Sequence, residues 1–214
     1  MRRHSSIIFF GIVSIIVILP YLAHAQAAKN VKIGVISAQS GPIAYMGTSV
    51  LRGAETALKN INEKGTLGTG PGGILVGGQR YNLEIANYDD AGDPAKSVAG
   101  MRRLAEMYKL PVVLGPFGTP QVWACQEVNV GLGILFNGLS TSDQSRKKGN
   151  PFYIQERIPG LYYGDPMAQA CIDKGFKKAC VITDINEAFM SWGKRFKERF
   201  EALGGQVPAF ESVD

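Results

Sequence analysis

Gly118-Thr119-Pro120 is the stretch of this 214-residue chain whose residue types make the clearest chemical offer. Thr119 carries a hydroxyl, Pro120 suits the first turn of a helix, and the main-chain N–H groups at a helix start have no partner within the helix. Gly118 lets a ligand come close to the main chain. Together they would hold a small carboxylate. The same residues also suit a Thr119 that only caps its own helix. A cap and an anion site use the same N–H groups, so the sequence leaves both readings open.

Asp89-Asp90, just ahead of Asp93-Pro94, is the second candidate. Paired acids could serve acid/base chemistry or hold a cation, but adjacent strand residues project to opposite faces and Asp readily binds nearby backbone N–H groups. Their expected role is to hold the loop ahead of the helix that Asp93 caps. Gly68 to Gly73 satisfies G-x-G-x-x-G, yet a helix precedes it and a strand follows, the reverse of the dinucleotide fingerprint. It reads as a glycine loop. With no GK[ST] phosphate loop and no G-x-S-x-G elbow, no cofactor is expected.

The N-terminus narrows the chemistry further. Arg2 and Arg3, the apolar run from Ile7 to Leu19, Pro20 and Ala23-His24-Ala25 form a secretory leader, expected to be cleaved after Ala25 or, second, after Ala27. The run is shorter than the ~20 residues that cross a bilayer core. Both histidines, His4 and His24, leave with residues 1–25, which excludes Ser-His-Asp, Cys-His and His-rich metal sites from the exported chain. No enzyme is expected. Loss of the two leader arginines lowers the formal charge from +5 to +3. Arg146-Lys147-Lys148 reads as a solvated loop, since a nucleic-acid face would be broader and interleaved with aromatics. Cys171 and Cys180 are close enough in sequence to form a bridge, and disulfide and free thiols both stand; Cys125 is expected to pack as a small hydrophobe.

Positioning these residues falls to alternating strands and helices. Strands are expected at Val31–Ser37, Tyr81–Asn87, Pro111–Gly115 and Gly133–Asn137. Helices are expected at Thr48–Lys64, with Val50, Ala54, Leu58 and Ile61 along one face; from Asp93-Pro94 to Tyr108, with Val98, Met101, Ala105 and Tyr108 along one face; and from Thr119-Pro120 to Val130. This pattern predicts an α/β fold with a parallel, doubly wound sheet. The polar, aperiodic stretch after Gly138 reads as a crossover at 141–150, between a first lobe at 29–140 and a second at 151–214. The second series has a strand near 152–158, a helix near 165–174, a strand at 178–183, a helix near 189–203 and a strand starting near Val207, all expected in a new sheet. So short a second lobe is expected to be truncated, its unpaired edges making the chain poorly soluble or dependent on a partner.

The run VKIGVISAQSGPIAYMGTSVLRGAETALKNINEKG from Val31 to Gly65, with DDAGDPA from Asp89 to Ala95, resembles the opening of the type I periplasmic binding proteins, in the branch that binds branched-chain amino acids for ABC importers. The resemblance runs from about Lys29 to the last residue and covers the N-terminal half of such a protein. It implies two lobes, each a parallel doubly wound sheet, and a small carboxylate-bearing solute in the cleft between them. It also implies a periplasmic location, an inner-membrane permease as partner, no nucleic acid and no catalysis. A truncated fragment without transport function is the alternative.

The resemblance also implies a set of site residues. The position of Thr119 holds the ligand carboxylate with help from Ser142, Ser140 offers its backbone carbonyl to the ligand's amino group, and Phe117 fills an apolar slot beside Gly118. Met46 or Tyr45 stands for a first-loop tyrosine. Phe189, with Trp192 close by, stands for the second-lobe aromatic that closes over the ligand. In the leucine-binding proteins a disulfide ties the loops after the second and third strands; here the matching positions are Gly92 and Gly118. An aliphatic amino acid, another amino acid, an amide or an aromatic acid would each suit such a cleft.

Overall fold

The structure, a computed structural model, describes residues 27–66, 70 and 72–213. The leader with its expected cleavage after Ala25, and residues 67–69 and 71 of the glycine loop, lie outside them. Two units divide the described residues: 27–31 with those of 60–83, and 32–59 with 84–213.

In the smaller unit, β2 (Ile74–Val76) pairs antiparallel with the start of β3 (Gln79–Asp89), Ile74 opposite Tyr81 and Val76 opposite Gln79, around the Gly77-Gly78 turn. The sequence reading had no place for this hairpin, so the sheet is mixed rather than wholly parallel. Asn62 anchors the hairpin to the preceding helix: its Nδ2 donates to the Leu83 carbonyl and its Oδ1 accepts from the Leu83 N–H, both at 2.8 Å.

The larger unit holds the parallel strands. β1 (Lys29–Ser37) is fully buried from Gly34 to Ser37, as a central strand covered on both faces should be. Beside it run β3, which enters this unit at Glu84, and β4 (Val112–Phe117), followed by β5 (Leu135–Leu139) and β6 (Tyr153–Gln155), in the order β3-β1-β4-β5-β6. Gly34 pairs with Val113, Val113 with Phe136, and Phe136 with Tyr153, all parallel. The helices are α1 (Ala44–Lys64), α2 (Pro94–Tyr108), α3 (Thr119–Gln126), α4 (Gln144–Lys147), α5 (Leu161–Asp173) and α6 (Glu187–Ala202). Ile36, Met101, Leu104, Val113, Val122, Cys125, Ile134 and Phe136 form one core. Within it the Cys125 thiol is buried, pushed up to about 12 by burial first and then by the charge of Asp90, and it packs as a hydrophobe.

Two expectations are corrected here. β6 pairs with β5 and so extends the first sheet, where a new sheet had been expected from Phe152 onward. The polar stretch before it is pinned rather than crossing over: Asn129 Nδ2 donates to the Ile134 and Phe152 carbonyls, Asn150 Nδ2 donates to Asn129 Oδ1 at 2.7 Å, and the Tyr153 ring lies 5.0 Å from that of Phe136. The chain leaves the sheet only after Gln155. Second, the buried face of α2 is Ser97, Gly100, Met101 and Leu104, whereas Tyr108 is exposed. Small residues meet the sheet there, since a Cβ on Gly100 would lie 2.4 Å from the Tyr88 ring. Of the two states left open for Cys171 and Cys180, the structure has the free thiols, as it does for Cys125.

The second sheet is a parallel pair, β7 (Lys178–Asp184) and β8 (Gln206–Val213). Ala168, Val181, Phe196 and Phe200 form its core with α5 and α6. Arg195 on α6 clamps Asp165 on α5 with two contacts, Nε to Oδ1 at 2.6 Å and Nη2 to Oδ2 at 2.9 Å.

Helix α1 begins at Ala44 rather than Thr48 and is pressed against the end of β1: a Cβ on Gly47 would lie 1.9 Å from the Ala38 carbonyl oxygen, whereas one on Gly53 would meet nothing within 4 Å. Alanine improves a helix interior by about 1 kcal/mol over glycine, but overpacking costs about 1 to 3 kcal/mol. Gly53→Ala is therefore expected to raise the urea midpoint and Gly47→Ala to lower it. Equal shifts in the two variants would contradict the close approach at Gly47.

Candidate functional site

The segments that follow β1, β3, β4 and β5 meet at the carboxyl ends of the strands, the place where open α/β sheets bind ligands. They enclose a cavity of about 500 Å³ with the first turns of α6. Each wall has an identifiable support.

The loop after β3 is held by its acids. Asp89 Oδ1 accepts from the N–H groups of Gln39 at 2.8 Å, Ser40 at 3.3 Å and Ala91 at 2.9 Å. Asp90 is fully buried; Oδ1 accepts from the Gly92 N–H at 2.9 Å and Oδ2 from the Ser97 hydroxyl at 2.7 Å. Asp93 caps α2, accepting from the Lys96 N–H at 2.8 Å. The acids work as loop and cap ligands, in keeping with the reading of the sequence.

The loop after β4 differs from expectation. Gly118, with φ of 110°, is the N-cap of α3, and Thr119 is its first helical residue. The cap reading of Thr119 therefore fails. A cap would need non-helical backbone at Thr119, and the non-helical residue falls one position earlier, at Gly118. The Thr119 hydroxyl lies 2.9 Å from that of Ser140, which lies 2.7 Å from that of Ser145, and Ser145 accepts from the Trp123 indole N–H at 2.9 Å. Gln121 Nε2 donates to the Gly92 carbonyl and so ties this loop to the one after β3. Glycine at 118 is what admits that side chain, since a Cβ there would lie 2.3 Å from Gln121 Oε1.

Of the residues singled out from the sequence, Met46, Phe117, Gly118, Thr119 and Phe189 line the cavity. Tyr45 is exposed and lines instead a second cavity of about 680 Å³, which Met46, Phe117 and Arg157 share. Ser140 and Ser142 are fully buried away from the site: Ser140 Oγ accepts from the Ser142 N–H at 3.2 Å, and Ser142 Oγ accepts from the Gln144 N–H at 3.2 Å. Their neighbours Leu139 and Thr141 line the cavity in their place. In extended chain a one-residue offset turns every side chain to the opposite face, and β5 runs to Leu139 rather than stopping at Asn137.

Trp192, named from the sequence as the neighbour of Phe189, also lines the cavity, as do Gln121, Arg157 and Asn186, which were not assigned a role from the sequence. Asn186 caps α6 by accepting from the Ala188 N–H at 3.0 Å. The Arg157 guanidinium sits 5.2 Å from the centre of the Phe117 ring. Neither lies in a recognisable motif; the asparagine ahead of α6 was the one readable signal.

A family model for periplasmic binding proteins matches residues 30–214. A Leu/Ile/Val-binding protein of Citrobacter freundii is 37% identical over 194 residues, covering 90% of this chain and 50% of that protein. The leucine-specific-binding protein of Salmonella typhimurium is 35% identical over 99 residues, 46% of this chain and 22% of that protein. The chain thus spans half or less of the length of these relatives. Among solved structures, the branched-chain amino acid transporter substrate binding protein of Streptococcus pneumoniae, in complex with isoleucine, superposes with a TM-score of 0.72 at 23% identity, over 86% of this chain and 50% of that one. A solute binding protein of an ABC transporter from Rhodopseudomonas palustris, in complex with 3,4-dihydroxybenzoic acid, gives 0.73 at 20% identity, over 86% and 47%. Both share the fold.

The two neighbouring acids of the β3 loop should report in opposite directions. Burial pushes the Asp90 carboxyl up, against its bonds from Ser97 and Gly92, and the Asp89 charge adds to the rise. Its contribution to stability is present below the ordinary carboxylate value near 4 and is lost as pH rises through the raised one. Burial also pushes Asp89 upward, but its bonds from Ser40, Gln39 and Ala91 outweigh that and lower it, so its contribution is present above the ordinary value and lost as pH falls through the lowered one. Relative to the parent, Asp90→Asn should gain stability between pH 3 and 7 and Asp89→Asn should lose it, measured by urea unfolding. The same sign for both would refute the assignment.

Proposed function

Because the chain belongs to the type I periplasmic binding proteins, in their branched-chain amino-acid branch, we propose that it is the solute receptor of an ABC importer. In this reading the leader is cleaved, the exported chain works in the periplasm, and a small carboxylate-bearing solute occupies the cavity at the strand ends. Members of the family are transport proteins rather than enzymes, and here too the solute is held, not transformed. The observation that carries the reading is the cavity itself, walled on one side by four strand-end loops and on the other by the start of α6.

The solute's carboxylate is placed at the start of α3. The first N–H groups of a helix have no partner within it, and the helix dipole favours negative charge there. Thr119 and Thr141 reach the cavity and supply the hydroxyls. Met46, Phe117 and Phe189 line the remainder with apolar surface, which suits the non-polar part of a leucine, isoleucine or valine as well as the ring of an aromatic acid. Relatives named for Leu/Ile/Val binding and a neighbour holding a dihydroxybenzoic acid share the carboxylate as their common ligand feature. A hinged receptor of this kind closes over its solute, and the closed form is what a membrane permease would recognise.

Calorimetric titration of the full chain with leucine and with benzoate tests this. Thr141→Val should remove a hydrogen bond to a charged group and weaken binding by about 1.5 to 3 kcal/mol, or roughly ten- to 150-fold. Thr119→Val should weaken it similarly and also lower stability, because the Thr119 hydroxyl is bonded to Ser140. Ser142→Ala should leave affinity unchanged. Full affinity in both threonine variants would remove the carboxylate from the start of α3.

A further inference from the structure

Behind the start of α3 stands a file of hydroxyls. Thr119 lines the strand-end cavity, whereas Ser140 and Ser145 are fully buried behind it; the Thr119 hydroxyl lies 2.9 Å from that of Ser140, which lies 2.7 Å from that of Ser145. Two further donors fix what these groups can do. The Trp123 indole N–H donates to Ser145 Oγ at 2.9 Å and the Ser142 main-chain N–H donates to Ser140 Oγ at 3.2 Å, and neither donor can accept in return. A serine hydroxyl has one proton and two lone pairs. With one lone pair taken by Ser142, Ser140 has one proton and one lone pair for its two hydroxyl neighbours, so it donates to one and accepts from the other. The file is therefore polarised.

Two directions are open to it. Run outward, Ser145 donates to Ser140 and Ser140 to Thr119, which leaves the Thr119 proton for the cavity. Run inward, Thr119 donates to Ser140, Ser140 to Ser145 and Ser145 to the Tyr153 oxygen beside it, which leaves lone pairs facing the solute. Thr119 is the first residue of α3, where the helix dipole favours negative charge, so an anion there meets a proton in one direction and repelling lone pairs in the other. Each hydroxyl that accepts also becomes a stronger donor, and the outward file begins on the indole N–H. We infer that the file runs outward, with Trp123, Ser145 and Ser140 as positioning residues that hold the Thr119 hydroxyl as a donor to the solute's carboxylate. The inference rests on the solute-receptor reading above.

The test combines calorimetric titration of the full chain, with benzoate and with leucine, and NMR of its two indole N–H groups, Trp123→Phe identifying the Trp123 signal. Ser140→Ala should weaken the probe that the parent binds by about threefold or more, yet change affinity little in the Thr119→Val background, both measured on the folded fraction. A purely structural serine would cost the same in each. Saturation with that probe should shift the Trp123 indole proton, and Ser140→Ala should abolish this shift while the signal of Trp192, which lines the cavity, still moves. Tyr153→Phe should keep both the affinity and the Trp123 shift of the parent. Equal losses in the two backgrounds, a Trp123 signal unmoved by the probe, or weakened binding in Tyr153→Phe overturns the outward file and leaves the receptor reading in place. If the folded parent binds neither probe, the receptor reading falls and this inference with it.

Discussion

The hydrogen bond from the Gln121 amide to the Gly92 carbonyl joins the loop after β3 to the start of α3, and the geometry of the cavity depends on it. It needs glycine at 118, because a Cβ there would collide with the amide. It needs the left-handed turn at Gly92, φ 74°, where a Cβ would also press to 2.9 Å from Ile43 in the loop after β1. One hydrogen bond thus ties two of the cavity walls, and the close packing of Gly92 against Ile43 brings in the third. Resemblance to the leucine-binding proteins places a disulfide between the same two loops. A disulfide contributes about 2 to 4 kcal/mol and a net hydrogen bond about 1, so a weaker tie joins these two loops where the resemblance implies a stronger one.

That tie joins residues 29 apart and was not legible in the sequence, whereas the local caps and strand patterns were. Asp93-Pro94 announced a cap and a first helical turn, and the structure has both. β1 and the Ala54 and Leu58 face of α1 followed from period and residue type. What escaped was set at longer range. β6 belongs to the first sheet because Asn129 and Asn150 fold a polar stretch back beside β5, contacts between residues about twenty apart that no periodicity shows. The rotation of α2 onto Ser97 and Gly100 rewards smallness, where a hydrophobic pattern looks for bulk.

The candidate site was half legible for the same reason. Residue types at the start of α3 spoke for themselves. The partner residues after β5 depend on parity: with β5 running to Leu139, Thr141 faces the cavity while Ser140 and Ser142 turn into a buried hydroxyl network. Arg157 and Trp192 come from separate elements and share the cavity only after the chain has folded. A lone arginine or tryptophan has no spacing to read.

Asp89 draws the three N–H groups of Gln39, Ser40 and Ala91 onto a single oxygen, an arrangement that would otherwise attract a free anion. The protein has filled that nest with a carboxylate of its own. A tethered group acts at millimolar or higher effective concentration, which a scarce solute cannot match. Its lowered pKa keeps it charged at acidities where an ordinary carboxyl would let go. The loop after β1 is thereby fastened to the loop after β3 by a charge that the chain itself supplies.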